Sequence, residues 1–158
     1  MKTIYLSLAA ALLVSCSPDV TAPVPTPEPV KVEIITIDSQ NSFSISDSQL
    51  KEAIEKRDLE LFAIVNHGEG AMSVATPIGQ SKLYIFGNPK SGTPLMKGNE
   101  IIGLELPMKI LVYEDDGVVK LARKDMRALM ASYDVNADKA LLDKISRTLD
   151  MITYEAAN

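Results

Sequence analysis

Proline is concentrated in one short segment of the chain. Five of the nine prolines lie between residues 17 and 31, in the sequence SPDVTAPVPTPEPVK. Because proline fixes φ and has no amide hydrogen, such a segment forms neither a helix nor a sheet and favours the extended polyproline II conformation. At about 3.1 Å per residue, it would act as a semi-rigid tether. We therefore expect the folded part of the chain to be residues 32–158.

The residues before the prolines resemble the signal sequence of bacterial lipoproteins. A basic start at Lys2 is followed by an apolar run over residues 4–14, which is too short to span a membrane comfortably, and Ser15-Cys16 follows. The resemblance implies that residues 1–15 are removed as a signal peptide and that Cys16 carries diacylglycerol and an amide-linked acyl chain such as palmitate. An ordinary secretory peptide, in which Cys16 is incidental, and an uncleaved anchor helix are the alternatives.

These features predict a location in the bacterial cell envelope. Several acyl chains give stable attachment without crossing the membrane, and residues 16–31 would be the lipidated cysteine and its tether. Ser17 resembles the sorting signal of outer-membrane lipoproteins, which implies the periplasmic face of the outer membrane if the source is Gram-negative. Because Cys16 is the single cysteine, the folded domain has neither a thiol nor a disulfide.

The charge of the chain excludes one class of partner. Acidic residues number 21 against 16 basic ones, and the formal net charge is -5. Nucleic-acid binding needs a concentrated basic face, and the sequence contains no such cluster. We predict no nucleic-acid partner, and attachment of this acidic chain to an anionic membrane would depend on its lipid.

Residues 32–158 have the pattern of one small α+β domain. Residues 68–81 fit either a loose helical turn or an irregular crossing. Ser46 and Gln49 have the spacing of a capping box, which is typical of a helix N-terminus. The other elements expected from apolar periodicity are strands at 32–37, 59–67 and 82–86, helices after Ser46 and at 94–106, 125–130 and 137–156, and a hairpin at 108–123. This order favours a small, mainly antiparallel sheet with helices packed on one face and a long C-terminal helix.

The second expected strand has apolar residues on both faces. Leu61, Ala63 and Val65 alternate with Phe62 and Ile64, so we expect both faces to be at least partly buried. One face would pack on the core, and the face with Phe62 and Ile64 would pair with a second copy of the chain. A homodimer is therefore an expected partner, beside an unknown small ligand or envelope protein.

Residues 47–156 resemble the bacterial and archaeal family called domain of unknown function 302. The resemblance rests on three motifs in order and at family-like spacing, followed by an apolar terminal helix: FAIVNHGEGA, LYIFGNPKSGTPLM and LPMKILVYEDDG. It implies a compact α+β domain that can associate as a dimer, and it implies no particular activity. Family members commonly have Asp before the histidine, whereas this chain has Asn66 before His67. Asparagine orients an imidazole without stabilising its charged form, which weakens a general-base role for His67.

The loop IFGNPKSGTP contains the residue types of a phosphate-binding loop. A Walker loop requires two glycines separated by four residues and followed by Lys and Ser or Thr, and this spacing is not present. Thr93 as an N-cap before a proline would still present a helix N-terminus near Lys90, which suits an anion. A turn that needs glycine and proline only for its geometry is the other interpretation. Gly87, Asn88, Lys90 and Thr93 are therefore candidate ligand-binding residues.

His67, the sole histidine, is the remaining candidate for ligand binding. It lies at the end of an expected strand, from which side chains often reach a pocket, although a lone histidine there is more often structural. A soft site with Met72 and Met96 would suit Cu(I), but methionine more often fills gaps in a core. We therefore assign no metal and no cofactor.

The sequence predicts a lipid-anchored envelope domain that binds a small ligand or a protein partner. Neither a nucleophile beside a base nor a pair of positioned carboxylates is visible, so we assign no catalytic residue. The alternative is a hydrolase-like or other small-molecule enzyme that uses His67 with Lys90 and Thr93, and it requires these three side chains to converge on one pocket. A purely structural role in the envelope is the third hypothesis.

Overall fold

A computed structural model describes residues 32–158. The expected signal peptide at 1–15, Cys16 and the tether at 16–31 lie outside the described residues. The first strand begins at Ile34, shortly after the last proline of the proline-rich segment.

Five strands in the described part of the chain form one sheet. They are β1 (Ile34–Asp38), β2 (Glu60–Asn66), β3 (Ser81–Gly87), β4 (Met108–Asp115) and β5 (Val118–Lys124). Their order across the sheet is β1-β5-β4-β3-β2, and every neighbouring pair is antiparallel. The three pairs from β2 to β5 join strands that follow one another in the chain, while β1 is added beside β5.

Helices cover one face of this sheet. They are α1 (Phe43–Glu55), α2 (His67–Ser73), α3 (Pro89–Gly98), α4 (Met126–Ser132) and α5 (Lys139–Ala157), with a 3-10 helix at Glu100–Leu104. The two long helices, α1 and α5, pack on each other and on the strands. Within residues 32–158, none of the helices is long and apolar enough to cross a membrane.

The core lies between the sheet and these two helices. Ile110 and Val112 of β4 are fully buried, whereas Leu111 between them is half-buried. Successive side chains of a strand point to opposite faces, so Ile110 and Val112 face the helices, where they share the core with Leu50 of α1 and Leu149 of α5. The expected α+β class, with an antiparallel sheet, helices on one face and a long C-terminal helix, is confirmed.

Local signals placed the β4–β5 hairpin and the last two helices correctly, whereas the helix expected at 94–106 is instead α3 at Pro89–Gly98 followed by a 3-10 helix at Glu100–Leu104. Asp116 and Gly117 form the turn between β4 and β5, and both have a positive φ, 49° and 80°, as a two-residue hairpin turn requires. Asp125 caps α4, since its side chain accepts a hydrogen bond from the Ala128 amide at 2.8 Å. The long helix α5 begins after its own cap, Asp138.

The expected capping box at the start of α1 is wrong. The N-cap is Ser42, so Ser46 lies inside the helix and is fully buried. Its hydroxyl oxygen is 2.8 Å from the hydroxyl of Ser39, which precedes the helix. Gln49 accepts a hydrogen bond from the Asn41 side chain. The helix begins earlier because it buries the ring of Phe43 in the core.

The second strand is more exposed than its apolar residues suggest. β2 forms one edge of the sheet as far as the described residues show, and Phe62, Ile64 and Val65 are 48%, 41% and 39% exposed. An edge strand with exposed apolar residues is a surface on which another chain can pair. The homodimer therefore stays a prediction.

A β-bulge alters the expected alternation of β2. Leu61 pairs with Phe86 and Ala63 with Ile85, which leaves Phe62 as the extra residue. The inserted residue reverses the alternation that follows it. Leu61 therefore does not share a face with Ala63, contrary to the expectation from simple alternation.

Candidate functional site

Asn88 organises the loop that follows β3. Its side-chain oxygen accepts a hydrogen bond from the Lys90 amide at 2.9 Å, and its side-chain nitrogen donates to the Asp58 carbonyl at 3.0 Å. Asn88 is the N-cap of α3, and Pro89 is the first helical residue. The expectation that Thr93 caps this helix is wrong, because the helix begins a turn earlier and Thr93 lies inside it.

This capping favours a turn over a phosphate-binding loop. An anion would need free amides at the start of α3, but the Lys90 amide is bonded to Asn88. Pro89 has no amide hydrogen to offer. The loop therefore uses its proline and asparagine for backbone geometry and helix capping.

Three of the candidate residues line one cavity next to this loop. Gly87, Asn88 and Thr93 belong to the lining of a cavity of about 290 Å³, which we call the methionine-lined cavity. Most of its wall is apolar. The apolar side chains include Leu95, Met96, Leu106, Met108, Met126 and Ile145.

The methionine-lined cavity has an apolar floor and a polar rim. Leu95 and Met126 on its floor are buried in the core. Asn88, Ser91 and Thr93 provide its polar side chains. Among residues 32–158, no charged side chain lines it. Such a cavity suits a neutral, mainly apolar molecule that is oriented by a few hydrogen bonds.

Two glycines leave space in the wall of this cavity. A Cβ on Gly92 would lie 3.8 Å from a methyl carbon of Leu106, and a Cβ on Gly103 would lie 3.6 Å from the sulfur of Met96. Both distances are ordinary van der Waals contacts. Each glycine therefore marks a point at which a side chain would fit and would reduce the open volume.

His67 lies at the opposite end of β2 from the methionine-lined cavity. In the antiparallel pair of β2 and β3, Asn66 lies opposite Lys82, whereas Glu60 lies opposite Gly87. Six residues of extended strand separate these two ends, which corresponds to about 20 Å. His67 directly follows Asn66 as the first residue of α2, where it is exposed.

This separation affects two sequence-based hypotheses. The enzyme hypothesis requires His67, Lys90 and Thr93 to converge, but His67 is at the far end of the hairpin and the exposed Lys90 does not line the cavity that contains Thr93. The Cu(I) hypothesis fails for the same reason. Met72 lines a groove near His67, and Met96 lines the methionine-lined cavity.

The groove near His67 is open to solvent, is lined by polar and apolar residues, and has a volume of about 740 Å³. One wall is a close backbone contact between α2 and the segment before β3. A Cβ on Gly68 would lie only 2.6 Å from the carbonyl oxygen of Gly79, so this approach requires glycine at position 68.

The sequence did not reveal a polar cluster at the back of this groove. Asp47 of α1 accepts hydrogen bonds from the Tyr84 hydroxyl at 2.7 Å and from the Lys82 ammonium at 2.6 Å. Burial raises the pKa of Tyr84, and Asp47 raises it further. The two donors occupy both carboxylate oxygens, so the cluster fastens α1 to β3. No sequence pattern links Asp47 to Lys82 and Tyr84, which follow it by 35 and 37 positions.

Comparisons with known proteins concern the whole domain. A family model described as "Domain of unknown function DUF302" matches residues 35–152. A crystal structure of an uncharacterized conserved DUF302 protein from Bacillus stearothermophilus aligns with a TM-score of 0.68 at 17% identity, over 79% of this chain and 98% of that one. At this identity the likeness shows the fold alone. That chain consists almost entirely of this fold.

Curated relatives carry a similar stretch within longer proteins. The fluoride-specific ion channel FluC 1 of Brucella suis biovar 1 is 30% identical over 128 residues, which are 79% of this chain and 50% of that protein. FluC 1 of Brucella abortus biovar 1 and FluC 2 of Brucella melitensis biotype 1 are also 30% identical over 128 residues, at 47% of their length. The chain thus spans about half the length of the curated relatives it matches.

The capping role of Asn88 generates the first prediction. Asn88→Ala removes both the cap of α3 and the bond to Asp58, and we expect the free energy of unfolding to fall by about 1–2 kcal/mol. Asn88→Asp keeps an oxygen that can cap the helix and loses only the donor, so it should cost clearly less. Urea denaturation of residues 32–158 measures both changes. Equal losses for the two variants would contradict the cap.

Proposed function

The chain belongs to the DUF302 family, and we propose that it is a lipid-anchored binding protein of the bacterial cell envelope whose methionine-lined cavity holds a small, neutral, mainly apolar ligand. The observation that carries this proposal is the cavity itself. It has a volume of about 290 Å³, and its wall is mostly apolar with three polar side chains. Binding sites for small molecules commonly combine an apolar lining with a few placed polar groups.

The chemistry of the wall supports an apolar ligand. Removing apolar surface from water contributes about 25 cal/mol per Å², and Leu95, Leu106 and Ile145 offer such surface. Methionine side chains are flexible and polarisable, so Met96, Met108 and Met126 can adapt to ligands of different shape. We therefore propose that the cavity selects for apolar character more strongly than for one shape.

The polar side chains of the cavity would orient the ligand. Ser91 and Thr93 each carry a hydroxyl that can donate or accept a hydrogen bond. The side chain of Asn88 is already engaged with the Lys90 amide and the Asp58 carbonyl. The two hydroxyls are therefore the proposed partners for a single polar group on the ligand, such as a hydroxyl or a carbonyl.

The proposed anchor is a lipid on Cys16, with residues 16–31 as the tether. The resemblance of the N-terminus to lipoprotein signals supports this proposal. The relatives are named as ion channels, which supports a position near a membrane for a domain of this family. Their fluoride channel activity is not part of the proposal.

The anchor leads to a prediction about fractionation. The full chain expressed in a Gram-negative host should sediment with the outer membrane, because several acyl chains attach it stably. Cys16→Ser should move it out of the outer-membrane fraction, and Ser17→Asp should keep the lipid but retain the protein in the inner membrane. Mass spectrometry of the mature N-terminus checks the modification. An unmodified Cys16 in the wild-type protein would contradict the proposed anchor.

The ligand proposal is tested with a neutral apolar probe, N-phenyl-1-naphthylamine, whose fluorescence rises when it leaves water. Residues 32–158 are sufficient, because a solved DUF302 protein consists almost entirely of this domain. We expect saturable binding. Gly92→Leu places a side chain toward Leu106 and into the cavity, and it should weaken binding by about tenfold, which corresponds to about 1.4 kcal/mol.

The chain offers a matched control for this experiment. Gly70 is also a helical glycine, and a Cβ there would have no neighbour within 4 Å. Gly70→Leu should therefore leave probe binding unchanged, and circular dichroism shows whether both variants are folded. Absence of binding to the wild-type domain, or equal affinities of the two leucine variants, would refute the proposed ligand site.

A further inference from the structure

The strands β4 and β5 separate at one end of the sheet. They pair from Leu111 opposite Ala122 to Asp115 opposite Val118, and the register does not continue to residues 108–110 and 123–124 in the described chain. A second cavity, of about 300 Å³, lies at this place. We call it the splayed-strand cavity, and it includes Met108, Lys109, Arg123 and Lys124.

The splayed-strand cavity reaches from one face of the sheet to the core. Leu83, Leu111 and Ala122 line it and form a row across three strands on the face away from the helices. Leu129 and Leu149 also line it, and both are almost fully buried on the helix side. Its body is therefore apolar on both sides of the sheet.

The guanidinium of Arg123 lies on the opposite face of the sheet from the leucine row, toward the helices, where it pairs with Asp150 of α5. The residue is 4% exposed. One terminal nitrogen donates to the Asp150 carboxylate and the other to the Lys124 carbonyl at 3.3 Å. Within residues 32–158, its buried Nε has no hydrogen-bond partner. A buried donor without a partner is costly and uncommon in folded proteins, but this nitrogen has almost no accessible surface, and the charge of Arg123 is paired with Asp150.

Two lysines add to the positive charge at the cavity. Lys124 is paired with Glu105, which also accepts a hydrogen bond from the Tyr133 hydroxyl at 2.8 Å. Lys109 donates to the backbone carbonyls of Glu105 and Pro107, at 2.9 and 3.0 Å. Lys109 forms no ion pair in the described part of the chain. Burial lowers the pKa of Lys109, Glu105 opposes this, and the charge of Lys124 lowers the pKa further.

The charges at this cavity do not cancel. Arg123, Lys109 and Lys124 contribute three positive charges, and Glu105 and Asp150 contribute two negative charges. One positive charge is left beside an apolar wall. A buried charge is stabilised when it gains a partner of opposite sign and matching hydrogen bonds.

We infer that the splayed-strand cavity binds an organic monoanion, a carboxylate with a short apolar body. The carboxylate would accept a hydrogen bond from the Lys109 ammonium, and the body would lie against the leucine row, which is on the same face of the sheet as Lys109. A single negative charge matches the single surplus positive charge. A phosphate dianion fits less well, because the apolar wall would have to desolvate a second charge that has no partner there.

This site is chemically distinct from the proposed neutral-ligand site, although the two are neighbours. Met108 and Met126 line both cavities. The methionine-lined cavity has no charged lining in the described residues, whereas the splayed-strand cavity contains the cations. The two inferences can therefore fail independently, and each has its own probe.

Isothermal titration of residues 32–158 with octanoate tests the anion site, and 1-octanol serves as the neutral molecule of the same shape. Both titrations use the Gly92→Leu variant, in which the methionine-lined cavity is filled and does not bind octanol. We expect octanoate to bind at least about tenfold more tightly than octanol, because a charge-assisted hydrogen bond is worth more than a neutral one. Inorganic phosphate should not displace octanoate. Equal affinity for the two probes, or displacement by phosphate, would overturn the inference.

Matched variants locate the binding. Lys109→Met should weaken octanoate binding by about tenfold while leaving octanol binding unchanged, because only the charge and its hydrogen bonds are lost. Lys97→Met makes the same change at an exposed residue outside both cavities and should have no effect. Gly92→Leu should leave octanoate binding intact. Its loss in Gly92→Leu, or unchanged binding in Lys109→Met, would assign octanoate to another place and overturn the inference.

Discussion

The fold depends on burial of one face of the antiparallel sheet under α1 and α5. Ile110, Val112 and Leu121 supply the centre of that face, and all three are fully buried. Each such side chain contributes about 1.5–3 kcal/mol when it leaves water. Because the strongest packing lies in the middle of the sheet, the places where the chain leaves space are at the ends of strands and beside the short helices. The methionine-lined cavity and the splayed-strand cavity both lie at such places.

The two cavities use one framework for different chemistry. The loop after β3 turns tightly at Asn88, so α3 lies beside the sheet and leaves an uncharged space in front of Met108 and Met126. The same two methionines also line the space where β4 and β5 separate, and there Lys109 lies beside apolar side chains. The polarity of each site follows from the residues that the strand ends happen to carry.

Local sequence patterns predicted much of the fold. Alternation predicted β4 and β5, and Asp116-Gly117 predicted their turn, because both signals act within a few residues. The start of α3 was harder to predict, since Pro89 and Pro94 are each suited to the first turn of a helix. The helix begins at the earlier proline, Pro89. Its cap, Asn88, also donates a hydrogen bond to the Asp58 carbonyl, which is 30 residues away in sequence.

The sites were less accessible to prediction. Three of the predicted binding residues, Gly87, Asn88 and Thr93, line one cavity. Another part of its wall comes from α4 and α5, and no local sequence pattern links these helices to the loop. His67 attracted attention as the sole histidine, yet strand direction places it at the other end of β2. The cation of the second site, Lys109, lies in a cavity because β4 and β5 separate before their ends, and sequence periodicity does not predict where two strands separate.

The most direct test of the proposed ligand site is a crystal structure of residues 32–158 soaked with bromobenzene, in which the anomalous signal of bromine locates the ligand. Small aromatic molecules bind in apolar protein cavities. We expect a bromine peak in contact with Met96, Met108 and Met126. A methionine-lined cavity that is closed by its own side chains, or a bromine bound only elsewhere, would contradict the account.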